Sequence, residues 1–123
     1  MPRFSDTVMD HFSSPRNWGL MEAADRVGVA GTPGQGRFLV LYLRVGEGQV
    51  TEAQFRCHGC GASIAAGSML TTLVSGKSIA DCRRLSADDL VKSLDGLPPD
   101  KQHCAGFAVR ALKDALGDGG AAT

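Results

Sequence analysis

The stretch FLVLYLRVGEGQVTEAQFRC, residues 38–57, most constrains what this chain can fold into. Residues 38–45 are β-rich and begin almost wholly apolar, Glu47 and Gly48 can turn the chain, and residues 50–57 alternate apolar with polar. These patterns predict a β-hairpin, because strand side chains alternate between faces and a short loop sets the register. From Gly61 the pattern changes, with small and aliphatic residues at 62, 65, 66, 69, 70 and 73. That spacing is helical, and the small side chains imply a helix packed closely against its neighbour. The junction between strand and helix carries Cys57-His58-Gly59-Cys60.

The flanking segments complete an α+β outline. Apolar residues at 4, 8, 9 and 12 predict a short first helix that Pro15 ends, and residues 13–24 read as an ordered loop. Val27 to Ala30 forms an edge strand, followed by the irregular loop GTPGQGR at 31–37. Gly76 ends the helix that starts at Gly61. Two capping boxes then open short helices, Ser78 with Asp81 and Ser86 with Asp89. Cys104, Phe107, Ala108, Ala111, Leu112, Ala115 and Leu116 lie on one stripe of a last helix. The expected fold is a small antiparallel sheet of two or three strands with helices packed on one face. No βαβ crossover is visible.

At 123 residues the chain is a single domain, 1–123, with 1–3 and 117–123 expected to fray. Thirteen basic residues balance thirteen acidic ones, so bulk charge draws the protein neither to nucleic acid nor to an anionic membrane. The longest apolar run, Phe38 to Leu43, falls far short of the roughly 20 residues a bilayer requires, and the polar N-terminus lacks a signal-peptide core. A cytoplasmic location is expected, in which the four cysteines stay reduced. Most of the sixteen glycines are read as turn residues.

The cysteines divide by context. Cys60 lies at a helix start, where free amides and the helix dipole favour a thiolate, although a small residue between two glycines also suits tight packing. Cys57 is positioned either to share a metal with Cys60 across the His58-Gly59 turn or to face the core in step with Phe55. Cys104, in the first turn of the last helix and preceded by His103, joins a soft sulfur to an imidazole, a pairing that suits zinc or iron. It also lies on an apolar stripe. Cys82 has no partner in sequence and is read as packing, while His11 and His58 are read as surface or loop residues.

Several segments taken together resemble the NifU/IscU iron-sulfur cluster assembly scaffolds. They are HFSSPRNWG at 11–19, GTPGQGR at 31–37, FRCHGCGASIAAGSMLTTLVSGKS at 55–78 and LPPDKQHC at 97–104. The resemblance spans roughly residues 4–116. It implies a carrier more than an enzyme, one that receives sulfur from a cysteine desulfurase and iron from a donor, builds a [2Fe-2S] cluster and passes it on. It also implies that Cys60, Cys104 and His103 bind the cluster.

The chain departs from this family in one loop. Where a Pro-x-Cys-Gly-Asp motif is expected, it has Pro33-Gly34-Gln35-Gly36-Arg37. Gln35 is a poor iron ligand, and Arg37 places a cation where a carboxylate would attract iron. Cys57 is then a candidate substitute, so that Cys57, Cys60, Cys104 and His103 supply three sulfurs and a nitrogen for a cluster, iron or zinc. The segment Leu97-Pro98-Pro99-Asp100-Lys101 resembles the peptide gripped by Hsp70-type chaperones. Asp100 replaces an apolar residue there, which implies weakened binding.

Three functional readings follow. The first is a divergent cluster scaffold that binds iron-sulfur, iron or zinc. The second is a cluster-free relative acting as a docking or regulatory module. The third is a thiol-disulfide oxidoreductase using Cys57 and Cys60, disfavoured by the missing βαβ pattern.

Overall fold

The structure is a computed structural model that describes residues 3–117. Helix α1 (Asp6–Ser13) leads into a meander of β1 (Arg26–Gly31), β2 (Phe38–Gly46) and β3 (Gln49–His58). Four α-helices follow: α2 (Gly61–Val74), α3 (Ile79–Arg84), α4 (Ala87–Ser93) and α5 (His103–Leu116), the last preceded by a 3-10 turn at Pro99–Lys101. The sheet order is β1-β2-β3 and both pairings are antiparallel. The α+β architecture matches the expectation.

The near-continuous apolar run of β2 now has a physical reason, since β2 is the central strand and both its faces are covered. Leu39, Leu41 and Leu43 are fully buried in the main core beneath the helices. Val40 and Tyr42 point the other way, into a second small core with Met21 from the segment between α1 and β1. The β2–β3 hairpin closes on Glu47 and Gly48, both with positive φ (53° and 76°). Such a turn matches the right-handed twist of the flanking strands.

Two glycines serve packing and not turns. A Cβ on Gly28 would sit 2.0 Å from the Ala111 carbonyl oxygen, so its absence lets α5 lie directly on β1. A Cβ on Gly67 would lie 2.5 Å from the Phe55 ring, so α2 can settle onto β3. Phe55 is fully buried there, a contact worth about 2–3 kcal/mol by transfer of its ring from water. The same approach buries α2 on almost every side, including Ser63, Ser68 and Thr71.

Several expectations need correction. His11 is buried, not a surface residue: its Nδ1 lies 2.7 Å from Ser68 Oγ, where α1 packs on α2. The Ser86–Asp89 box is reciprocal, whereas at Ser78 the side chain accepts from the Asp81 amide without a returning bond. Arg3 and Gly117 are the end residues described. Arg3 pairs with Asp100 at 2.6 Å, and Gly117 caps α5 with φ 80°. The remainder of the expected frayed ends lies outside the described residues. Within the 13–24 loop, Asn17 and Gly19 exchange backbone bonds with Phe55, and Trp18 packs edge-on against its ring with centroids 5.1 Å apart.

Candidate functional site

The site forms where β3 ends and two helices begin. Cys60 is the N-cap of α2, and His103 and Cys104 open α5. Neither helix start has a side-chain cap, and at α2 the Ala62 and Ser63 amides face Cys60 Sγ instead. Packing of both helices against the sheet brings Cys60 Sγ to 3.8 Å from Cys104 Sγ, across 44 residues of sequence. His103 Nε2 lies 3.7 Å from Cys104 Sγ. The sequence expectation that these three residues converge is therefore met in the geometry.

Cys57 pairs in register with the fully buried Leu39 and points to the helix side of the sheet, half-buried against the main core. All four cysteines are free thiols. Cys82 is buried elsewhere, its thiol 3.9 Å from the Val74 carbonyl. His58 is exposed and stacks on Phe38. Among the described residues, no three Cys, His, Asp or Glu side chains are gathered closely enough to hold a metal ion as they stand.

The three thiols near the site differ in acidity. Burial pushes the Cys60 thiol up, but the Ser63 hydroxyl at 3.5 Å, the amides of Ser63 and Ala62, and the Cys104 thiol outweigh it and bring Cys60 down to about 7. At Cys104 desolvation dominates over the help from Ser63, and the neighbouring Cys60 raises it further. Burial likewise pushes Cys57 up to about 11, with Cys60 and Cys104 adding to the rise and Arg37 opposing it. Cys60 is thus the most acidic of the three, and it alone of them borders a cavity of about 370 Å³ whose walls include Phe4, Val8, Met9 and Phe12.

Sequence reasoning missed two features of the site. Ser63 lies at the third helical position, three residues after Cys60, and that spacing was a usable signal. The second is what Arg37 does. Its guanidinium lies 3.1 Å from His103 Nε2 and 5.0 Å over the Phe107 ring. An arginine can only donate, so His103 accepts at Nε2 and carries its proton on Nδ1. The lone pair a metal would use is engaged. Gly59 and Gly61, flanking Cys60, leave room for neighbours: a Cβ on Gly59 would press on Ser63 and Arg37, and one on Gly61 on Phe12. The 32–37 loop carrying Gln35 is exposed, with Gly34 and Gly36 both at φ 86°.

Residues 3–119 match the family described as the NifU-like N terminal domain. The chain belongs to that family. It is 39% identical over 115 residues to the iron-sulfur cluster assembly scaffold protein IscU 1 of Archaeoglobus fulgidus, covering 94% of this chain and 75% of the relative. It is also 39% identical over 117 residues to the IscU scaffold protein of Aquifex aeolicus, covering 94% and 74%. A Drosophila melanogaster relative at 38% identity over 119 residues, covering 94% and 77%, is named an assembly enzyme. The fold of this NifU-like domain also matches the N-terminal NifU-like protein of Brucella abortus, with a TM-score of 0.65 at 19% identity over 93% of this chain and 89% of the other. A crystal structure described as a SUF-system scaffold protein from Fervidobacterium islandicum gives a TM-score of 0.70 at 18% identity, covering 92% and 96%. No helix among the described residues is long and apolar enough to cross a membrane.

Proposed function

We propose that this NifU-like protein is an iron-sulfur cluster assembly scaffold with an altered entry loop, taking sulfur from a cysteine desulfurase and holding a cluster, iron or zinc as cargo. The observation that carries the reading is the 3.8 Å approach of Cys60 and Cys104 at two helix starts. Two soft sulfurs so placed are a ready half of a zinc or iron-sulfur ligand set. Completing the set takes two movements: Cys57 turns in from the end of β3, and His103 Nε2 is released by Arg37. The reading places the protein in the cytoplasm, where these thiols stay reduced.

The test is metal and acid-labile sulfide analysis of protein made and purified without oxygen, alongside Cys60→Ser and Cys104→Ser. Stoichiometric metal in the parent that is lost in both variants supports the reading. A metal-free parent that takes up no zinc or iron on addition excludes it.

The engaged histidine favours a second reading, in which the chain docks scaffold partners without carrying a cluster. The Leu97-Pro98-Pro99-Asp100-Lys101 segment is a candidate chaperone contact for either reading, with binding weakened because Asp100 is charged and held by Arg3. Affinity of an Hsp70-type chaperone for the protein before and after Asp100→Val measures that weakening.

A further inference from the structure

We infer that Cys60 and Cys104 form a persulfide-resolving pair: sulfur carried on Cys60 is released as hydrosulfide when Cys104 attacks, without a metal and without a separate reductant in that turn. The inference rests on the proposed function only in taking this chain to receive sulfur; that Cys60 is the receiving residue is part of the inference.

The geometry divides the labour between the two thiols. Cys60 is half-buried and borders the cavity beside α1, so a sulfur donor can reach it. Cys104 is buried to 1% exposure, shielded from a donor but in contact with Cys60 Sγ at 3.8 Å. Closing from that distance to the S–S bond length of about 2.05 Å needs a movement of less than about 2 Å, within the reach of side-chain rotation. A resolving thiol held beside its target reacts as if at very high concentration.

The step balances. The Cys104 thiolate attacks Sγ of the Cys60 persulfide, a bond forms between the two Sγ atoms, and the bond from Cys60 Sγ to the outer sulfur breaks. The outer sulfur departs with that electron pair and the persulfide proton as hydrosulfide. It is reduced by two electrons, and the two cysteine sulfurs are each oxidised by one as they become a disulfide. A dithiol reductant then returns the pair to thiols. Arg37 lies 3.1 Å from His103, itself beside Cys104, and so places a cation near the anion that leaves. An arginine that opposes iron entry is well suited to this task.

The experiment uses the full chain, reduced and metal-free with a chelator present, treated anaerobically with inorganic polysulfide and rapidly desalted. Intact mass and released sulfide are followed with time. In the parent, the mass gained by one sulfur atom should give way to the loss of two hydrogens, with one hydrosulfide per chain and a Cys60–Cys104 disulfide in the peptide map. In Cys104→Ala the added sulfur should persist, with sulfide release slowed by roughly 100-fold. Cys82→Ser should behave as the parent. A parent whose added sulfur persists as in Cys104→Ala, or that accepts none at Cys60, overturns the inference. So does a disulfide mapping to Cys57. The parent's own peptide map decides the matter even if a variant fails to fold, and a protein that binds no metal can still pass.

Discussion

The two sides of the site are built differently. Cys60 and Cys104 stand on the first turns of α2 and α5, helices whose inward faces are core and whose backbones press on the sheet through Gly67 and Gly28. Opposite them, residues 32–37 form an exposed loop that contributes almost nothing to the core. A substitution at the first side disturbs packing as well as chemistry, whereas the loop can exchange a ligand for Gln35 and an acid for Arg37 at little cost to folding. The expected departure from the family pattern therefore falls in a segment where the fold tolerates substitution.

The sharpest way to break this contrast is to remove the helix-borne sulfurs. Cys60→Ser and Cys104→Ser should each weaken zinc binding by more than the roughly 100-fold that even outer-shell partners of a metal cost. Competition against a chromophoric chelator measures it. Cys82→Ser should leave affinity unchanged while lowering stability, because it puts a hydroxyl into a site 2% exposed. Equal losses of zinc at all three would mean that folding, not ligation, is being read.

A second measurement separates thiols on the same side of the site. Cys60 is held down to about 7 and Cys57 is pushed up to about 11. At pH 7 about half of Cys60 but only on the order of one in ten thousand Cys57 groups is thiolate, and the greater intrinsic nucleophilicity of the more basic sulfur recovers part of that gap. Alkylation by iodoacetamide should favour Cys60 by on the order of 100-fold. Its rate at Cys60 should level off above about pH 7, while that at Cys57 keeps rising toward about pH 11. Comparable rates at pH 7 would remove the argument that Ser63 and the α2 amides activate Cys60.

The loop side offers the converse experiment, a gain. Gln35→Cys with Arg37→Asp supplies a third thiolate, removes an opposing cation and frees His103 Nε2. Cluster formation in the presence of iron and a desulfurase should rise by roughly tenfold relative to the parent. The loss of the Arg37 stack on Phe107 should lower stability by no more than about 1 kcal/mol. A double variant no better than a cluster-forming parent would mean that Cys57 already completes the ligand set.

The same two-sided construction explains what the sequence made legible. The strands, the helix after Gly61 and the stripe of α5 were readable because periodicity encodes which face is buried. Turn residues such as Gly48 and Gly76 announce themselves beside the polar residues they punctuate. Gly28 and Gly67 do not, since what they accommodate is a backbone or ring distant in sequence. His11 misled for a similar reason: on a short polar helix it looks solvated, and only the packing of α1 onto α2 brings Ser68 to it. Of the site, Cys60, Cys104 and His103 were accessible through motif and resemblance. The Arg37 contact with His103 depends on where an irregular loop comes to rest, which no period records.

The smallest expected effect concerns His11, behind the thiols, and tests whether the α1–α2 contact belongs to the rigid side. Ser68 Oγ accepts from the Arg16 amide at 2.8 Å and keeps its own proton to offer to a neutral His11 Nδ1, 2.7 Å away. Desolvation lowers the His11 pKa, Arg16 lowers it further, and Asp10 opposes them. A group with a depressed folded-state pKa stabilises fully above its unfolded value, near 6.5 for histidine, and loses that contribution as pH falls through the folded-state value. Stability measured by urea unfolding should therefore decline gently below about pH 6.5. His11→Gln, which keeps an acceptor near Ser68 but cannot titrate, should flatten that decline while lowering stability at neutral pH. A parent curve that is flat over this range, or a variant curve with the same slope, would show that α1 rides on α2 without coupling its protonation to the fold.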